Sequence, residues 1–269
     1  MEDRALPRRG AGGTLQARAL DAGSLAPSLA WLALEGQRAF AEWLGYHAAG
    51  PWLARAPRGD GHPVLVLPGF LADDLSTRPL RRFLARLGYR AHPWRLGRNL
   101  GSVGAVRERV LARALELHAR HGRKLSLVGW SLGGIYAREL AKHVPERVRQ
   151  VITLGSPFAD VARPTALSRW LERASGRELA REMPERVERL RRPPPVPSTA
   201  IYSRSDGIAH WEACRESEGP ERENIEVAGS HCGLGFNPLV LWAVADRLSL
   251  AEGEWRPFAR DGWRALLYG

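Results

Sequence analysis

Two hydrophobic periods alternate along most of the chain. Short apolar runs predict strands at 64–67, 89–94, 125–128, 151–154, 200–202 and 225–227. Between the first four runs, apolar residues recur at helical spacing and predict helices at 78–87, 103–121 and 132–143. Strands that alternate with helices indicate the α/β class. We therefore expect a mainly parallel sheet of about six strands with helices on both faces.

The first 60 residues follow a different pattern. Residues 1–24 are rich in Gly, Ala and Arg without a sustained period, which is typical of an arm. From 27 to 47, apolar residues such as Trp31 and Phe40 recur around Glu35, Arg38 and Glu42, which predicts an amphipathic helix. We expect this helix to pack on the main body, and its aromatic content leaves a membrane-interface or acyl-chain role as the alternative. The predicted division is an N-terminal segment at 1–60 and a main domain at 61–269.

A break in the strand–helix pattern lies between 157 and 197. The segment contains predicted helices at 166–174 and 178–192, has no strand, and ends at three prolines. An insertion at the end of a strand is a common place for a lid or cap over a site. We predict a cap at 157–197, and a helical excursion that only covers the core is the alternative.

Composition excludes several classes of function. The 269 residues carry 40 Lys and Arg against 29 Asp and Glu, a net charge of +11. The arginines are spread through predicted helices and are not clustered with aromatic residues, so we expect no nucleic-acid partner. The first residues lack the apolar run of a secretory signal, and no later run has the apolar length of a membrane span. We expect a soluble cytoplasmic protein, with peripheral membrane contact possible in principle but not expected.

One motif carries candidate chemistry. The segment Gly129-Trp130-Ser131-Leu132-Gly133 follows the predicted strand 125–128 and precedes a predicted helix. A serine between two such glycines is typical of a nucleophile elbow, a strained strand-to-helix turn that exposes the hydroxyl. The motif also arises by chance, so its context has to support it. We predict that Ser131 is a catalytic nucleophile.

A serine nucleophile needs a base and an acid that orients the base. Downstream, Asp206 follows the predicted strand 200–202 and His231 follows the predicted strand 225–227, each with glycines nearby. This order and placement match those of an elbow enzyme, so we predict Asp206 as the acid and His231 as the base. Asp160 is the alternative acid, and His210 is a weaker candidate base because it lies near the start of a helix.

Acyl transfer also needs donors for the developing oxyanion. The backbone N–H groups of Leu132, after the nucleophile, and of Phe70, after the first core strand, are the candidates. Gly69 leaves room for a substrate beside the backbone. No cysteine or histidine pattern has metal-ligand spacing and no glycine-rich loop has phosphate-binding spacing, so we expect neither a metal nor another cofactor.

Four segments together resemble a known family. They are Leu-Pro-Gly-Phe at 67–70, Gly-Trp-Ser-Leu-Gly-Gly at 129–134, Ser-Arg-Ser-Asp-Gly at 203–207 and Gly-Ser-His-Cys-Gly-Leu at 229–234. They resemble those of α/β-hydrolase esterases and lipases, most of all bacterial lipase-like esterases, over about residues 62–250. The resemblance implies hydrolysis of carboxylic esters, small or lipid-like, through an acyl-enzyme. The predicted N-terminal helix replaces the antiparallel strands with which many members begin, which predicts a shortened sheet.

Some alternatives stay open at this point. The same triad would serve a thioesterase or an acyltransferase, and a non-catalytic binding protein could retain the fold. The two cysteines, Cys214 and Cys232, lie near the proposed acid and base, and a disulfide between them would join the two loops. A reducing cytoplasm argues for free thiols. The leaving group and the oligomeric state are not specified by the sequence.

Overall fold

A computed structural model describes residues 27–101, 103–159 and 184–269. The predicted helix at 166–174, most of the predicted cap at 157–197 and the alternative acid Asp160 lie outside the described residues. The arm at 1–24 lies outside them as well.

Six parallel strands form one sheet in the described residues. They are β1 (Pro63–Leu67), β2 (Arg90–Pro93), β3 (Leu125–Trp130), β4 (Val148–Leu154), β5 (Ser198–Tyr202) and β6 (Arg222–Glu226). Their order across the sheet is β2-β1-β3-β4-β5-β6, with each neighbouring pair parallel. The predicted parallel sheet of about six strands is therefore confirmed.

Seven α-helices accompany the sheet in the same residues. They are α1 (Leu29–Ala48), α2 (Gly50–Leu53), α3 (Arg78–Arg86), α4 (Val103–His121), α5 (Leu132–His143), α6 (Pro184–Arg191) and α7 (Pro238–Ser249). Short 3₁₀ helices occur at Pro145–Arg147, Trp211–Cys214 and Gly262–Leu266. None of the helices in the described part of the chain has the length and hydropathy required to cross a bilayer.

The central part of the sheet has apolar residues on both faces. Successive residues of a strand point to opposite sides, so a continuous apolar run contributes to both faces. Val64 and Val66 of β1 join one core cluster with α3 and α7, whereas Leu65 and Leu67 join a second cluster with α4 and α5. The two clusters account for the continuous burial of β1, β3 and β4. The predicted helical layers on both faces are thus confirmed.

The strand order brings particular loops together. The chain runs from β1 outward to β2 and returns to β3 on the other side of β1, after which it continues to β6. Such a reversal opens a crevice at the carboxyl ends of the two strands on either side of it, here β1 and β3. The loop after β1 and the turn after β3 therefore meet at one edge of the sheet, where the loops after β4, β5 and β6 also begin.

Candidate active site

Ser131 occupies the sharp turn between β3 and α5. Its backbone has φ 52° and ψ −122°, a conformation that few residues other than glycine adopt, and its N–H donates to the Leu154 carbonyl at 2.8 Å. A β-carbon at Gly129 would overlap the Gly133 backbone, and one at Gly133 would lie 2.7 Å from the Pro68 carbonyl oxygen. The two glycines are thus required sterically, as expected for an elbow. The serine side chain is half-buried at the sheet edge.

Asp206 and His231 form a buried pair. Asp206 Oδ2 lies 2.6 Å from His231 Nδ1, and the two residues are 4% and 6% exposed. The other carboxylate oxygen accepts the N–H groups of Ile208 at 2.8 Å and Ala209 at 2.7 Å, which fixes its orientation. Burial lowers the pKa of His231, but the charge and hydrogen bond of Asp206 outweigh burial and leave the pKa above its ordinary value.

The turn of the serine and the loop of the histidine are directly connected. Trp130, the residue before Ser131, donates its indole N–H to the His231 carbonyl at 3.0 Å. Gly155, after β4, approaches the pair so closely that a β-carbon there would lie 3.2 Å from His231 Nδ1. The described residues contain no hydrogen bond between the Ser131 hydroxyl and the His231 ring. Catalytic hydrogen bonds are often long without substrate and shorten in the complex.

The loop after β1 lies against Ser131. A β-carbon at Gly69 would be 3.2 Å from Ser131 Cβ and 3.9 Å from its Oγ. Leu71 in the same loop has φ 59°, a strained value for a branched side chain. The side chain of the buried Asn99 donates to the Pro68 carbonyl at 2.9 Å, and its backbone accepts from Leu71 at 2.7 Å. Asn99 therefore holds this loop in place, a role that no sequence motif indicated.

His210 contacts the short helix that follows it. It precedes the 3₁₀ helix Trp211–Cys214, stacks on the Trp211 ring and lies 4.0 Å from the Glu212 carboxylate. This agrees with its predicted place at a helix start. Cys214 and Cys232 are both free thiols, the first buried and the second exposed, so the structure contains no disulfide between the two loops.

Another serine, histidine and aspartate are joined by hydrogen bonds at the opposite edge of the sheet. Ser126 Oγ is 2.8 Å from His62 Nε2, and His62 Nδ1 is 2.5 Å from Asp60 Oδ1. Both Ser126 and His62 are fully buried, so a substrate has no access to this hydroxyl. Ser126 also lies within β3 and not in a strand-to-helix turn, so no helix N-terminus lies beside it. These hydrogen bonds connect β3 to the residues before β1 and have a structural role.

The described residues can also be compared with the side-chain groupings that bind metal ions. Within 27–101, 103–159 and 184–269, no three or more His, Cys, Asp and Glu side chains are arranged to hold a metal ion.

Comparisons with known proteins bear on the fold. No protein-family model matches the chain, and no curated protein matches it. One of the metagenome-derived lipolytic enzymes LipS and LipT aligns with a TM-score of 0.53 at 17% identity, over 72% of this chain and 95% of that chain. The monoacylglycerol lipase of Paleococcus ferrophilus aligns with a TM-score of 0.50 at 16% identity, over 71% and 96%. The pyrethroid hydrolase PytH aligns with a TM-score of 0.53 at 20% identity, over 72% and 99%. Together with the sheet order and the elbow, these alignments establish that the chain has the α/β-hydrolase fold.

Proposed function

We propose that this chain is a serine hydrolase that cleaves carboxylic esters through an acyl-enzyme intermediate. The observation that carries the proposal is the strained turn of Ser131, joined through Trp130 to the loop of the buried Asp206–His231 pair, at the carboxyl edge of a parallel sheet. The names of the similar folds support the same class, because they include a lipolytic enzyme, a monoacylglycerol lipase and a pyrethroid hydrolase. An ester, small or lipid-like, is the proposed substrate.

Each residue has a defined role in the proposed reaction. Ser131 Oγ attacks the ester carbonyl while His231 Nε2 takes the hydroxyl proton, and Asp206 stabilises the resulting imidazolium. When the tetrahedral intermediate collapses, His231 returns this proton to the departing alcohol and the acyl group stays on Ser131. A water molecule then attacks the acyl carbon as His231 takes its proton, and the carboxylic acid leaves while His231 reprotonates Ser131.

The oxyanion needs donors that are in place before the reaction. Leu132 is the first residue of α5, so its N–H has no acceptor within the helix and lies next to the nucleophile. Phe70 follows Gly69, whose backbone borders Ser131. We assign the N–H groups of Phe70 and Leu132 to the oxyanion hole. The hydrogen bonds of Asn99 to the loop 68–72 support this assignment, because they keep the loop rigid.

Apolar side chains near the proposed oxyanion hole favour an apolar acyl or alcohol group. Leu71 and Leu100 are exposed; Leu71 lies in the loop 68–72, and Leu100 follows Asn99, which binds that loop. An apolar substrate would cover part of this surface. Burial of each CH₂ contributes about 0.8 kcal/mol to binding.

The experiment that tests the function compares two serines. A fluorophosphonate probe and p-nitrophenyl esters are applied to the unmodified chain, to Ser131→Ala and to the control Ser126→Ala. We expect labelling and hydrolysis in the unmodified chain and in Ser126→Ala, and neither in Ser131→Ala. A folded Ser131→Ala variant that still hydrolyses the esters would exclude this mechanism. Labelling without ester hydrolysis would retain an activated serine but reject the substrate class.

A further inference from the structure

Helix α1 packs on the main body through charged side chains. Glu35, Arg38 and Glu42 are spaced by three and four residues and therefore share one face of the helix. Glu35 is the buried residue of α1, at 5% exposure. Tyr46, near the end of the helix, is partly buried against the first core cluster. Most of the other large apolar residues of the helix are exposed: Leu29, Trp31, Leu32, Leu34, Phe40, Trp43 and Leu44. The packing of α1 on the body, expected from the sequence, is thus present but uses mainly the polar face.

The Glu35 carboxylate binds the acid loop and the base loop at once. Its Oε1 accepts the N–H of Gly207 at 2.8 Å and the N–H of His231 at 3.1 Å, and its Oε2 accepts the N–H of Cys232 at 3.0 Å. Gly207 directly follows Asp206, so a single side chain joins the backbones on both sides of the Asp206–His231 pair. Hydrogen bonds to a buried carboxylate are stronger than those between neutral groups.

Glu42 and Arg38 extend the same contact. Glu42 accepts the backbone N–H of Ser230 at 2.6 Å and the Ser230 hydroxyl at 3.0 Å. Arg38 donates to the Ser205 carbonyl at 2.6 Å and to its hydroxyl at 2.7 Å. A β-carbon at Gly233 would overlap the Glu42 carboxylate. The residues that precede both Asp206 and His231 are therefore also held by α1.

We propose that Glu35 is a positioning residue of the candidate triad, which holds the Asp206 loop against the His231 loop and places a second negative charge next to the His231 backbone. This inference rests on the proposed function, since it concerns the geometry of the same acid–base pair. It assigns α1, which lies outside the strand–helix repeat, a direct part in the site.

Several charged or titratable groups face His231. Asp206 binds its ring, Glu35 binds its backbone N–H, and Glu42 lies one residue away through Ser230. Arg38 lies 3.9 Å from Glu35, and the thiol of Cys232 is adjacent in the chain. Burial lowers the pKa of His231, whereas Asp206 raises it most and Glu35 also raises it. Loss of the Glu35 charge should therefore lower the pKa of His231.

Two variants separate the charge of Glu35 from its geometry. Glu35→Gln removes the charge and leaves one of the two acceptor oxygens. We expect kcat to fall roughly 10²-fold with little change in KM, because a small displacement of the base is enough for such a loss, and the acid limb of the kcat/KM profile to move to lower pH. Glu35→Asp keeps the charge on a shorter side chain, so kcat should fall while the acid limb stays in place. Gln37→Ala, on the exposed side of the same helix turn, is the control and should match the unmodified chain.

The outcomes distinguish this inference from the proposed function. An NMR titration of the His231 ring in the unmodified chain and in Glu35→Gln measures the coupling without any enzyme assay. If the chain hydrolyses no ester and the His231 pKa still falls in Glu35→Gln, the function fails and the coupling stands. If the chain is an esterase and Glu35→Gln retains the kcat, the acid limb and the His231 titration of the unmodified chain, the inference is overturned. If Glu35→Gln does not fold, an unchanged kcat in folded Glu35→Asp overturns it.

Discussion

A substitution at Gly207 tests how closely α1 approaches the acid loop. A β-carbon at this position would lie 2.6 Å from the backbone nitrogen of Leu32 and 2.6 Å from the carbonyl carbon of Trp31. Both are backbone atoms, which cannot rotate away as the end of a side chain can. In Gly207→Ala the loop and the helix must therefore separate by roughly 1 Å to reach ordinary carbon contact distances.

The magnitude follows from the contacts that this separation disturbs. Forcing a methyl group into a tightly packed contact costs about 1–3 kcal/mol. The same movement lengthens the 2.8 Å hydrogen bond from Gly207 to the charged Glu35, and a hydrogen bond of this kind contributes about 1.5–3 kcal/mol. Because the two effects overlap, we expect the free energy of unfolding to fall by roughly 2–5 kcal/mol. Fluorophosphonate labelling should slow in the folded variant, since the Asp206 loop moves with Gly207.

Urea unfolding, followed by tryptophan fluorescence, measures the change in the free energy of unfolding. The matched control is Gly36→Ala in the same helix, where a β-carbon would meet nothing within 4 Å. Alanine is the better helix former by about 1 kcal/mol, so Gly36→Ala should stabilise the chain slightly and leave labelling unchanged. A Gly207→Ala variant as stable as the unmodified chain would show that α1 does not pack against the acid loop in this way.

Two further predictions concern the Asp206–His231 pair and the buried Ser126–His62 contact. Asp206 holds the pKa of His231 above its ordinary value of about 6.5. Asp206→Asn should therefore lower kcat roughly 10⁴-fold and move the acid limb of the kcat/KM profile to lower pH. An acid limb that does not move would show that a group other than His231 titrates there. The interaction of Asp206 with protonated His231 also stabilises the fold. Its contribution is complete below about pH 6.5 and is lost as the pH rises through the pKa of His231 in the folded state. In urea titrations, the difference in the free energy of unfolding between Asp206→Asn and the unmodified chain should therefore shrink at alkaline pH. Ser126→Ala removes the partner of His62 Nε2 and should cost about 1–3 kcal/mol in the same titrations with unchanged fluorophosphonate labelling, whereas slower labelling of the folded variant would contradict a purely structural role.

The sequence predicts the strand–helix order well, because that order depends on local hydrophobic periods. The helices at 103–121 and 132–143 have the predicted bounds. The strand expected at 151–154 instead begins at Val148, since it includes Arg149 and Gln150. These polar side chains are buried but paired with distant groups, Arg149 with Asp60 at 2.8 Å and Gln150 with the Arg247 carbonyl at 3.2 Å. Such partners, 89 and 97 residues away in the chain, leave no local signal.

The site divides in the same way. Motif order indicates Ser131, Asp206 and His231 as candidates, and the structure joins the last two by a hydrogen bond. The periodicity of α1 identified a helix but not the face that docks, because Glu35 and Glu42 on an isolated helix belong on the solvent side. A carboxylate is stable in the interior only when it is well hydrogen-bonded, and the donors here are backbone N–H groups about 170 to 200 residues further along the chain.

The glycines near Asp206 and His231 are visible in the sequence, but their roles depend on long-range contacts in the structure. In the sequence they resemble the glycines that allow turns in catalytic loops. In the structure, Gly207 leaves room for the backbone of α1, and Gly233 leaves room for the Glu42 carboxylate. At both positions the absence of a side chain therefore allows close approach of α1, a helix that ends at Ala48, before the first strand begins at Pro63. A division of the chain at residue 60 stays a prediction about its domains, but the contacts that fix the Asp206–His231 pair cross that boundary. The unit that forms the candidate site therefore has to include α1.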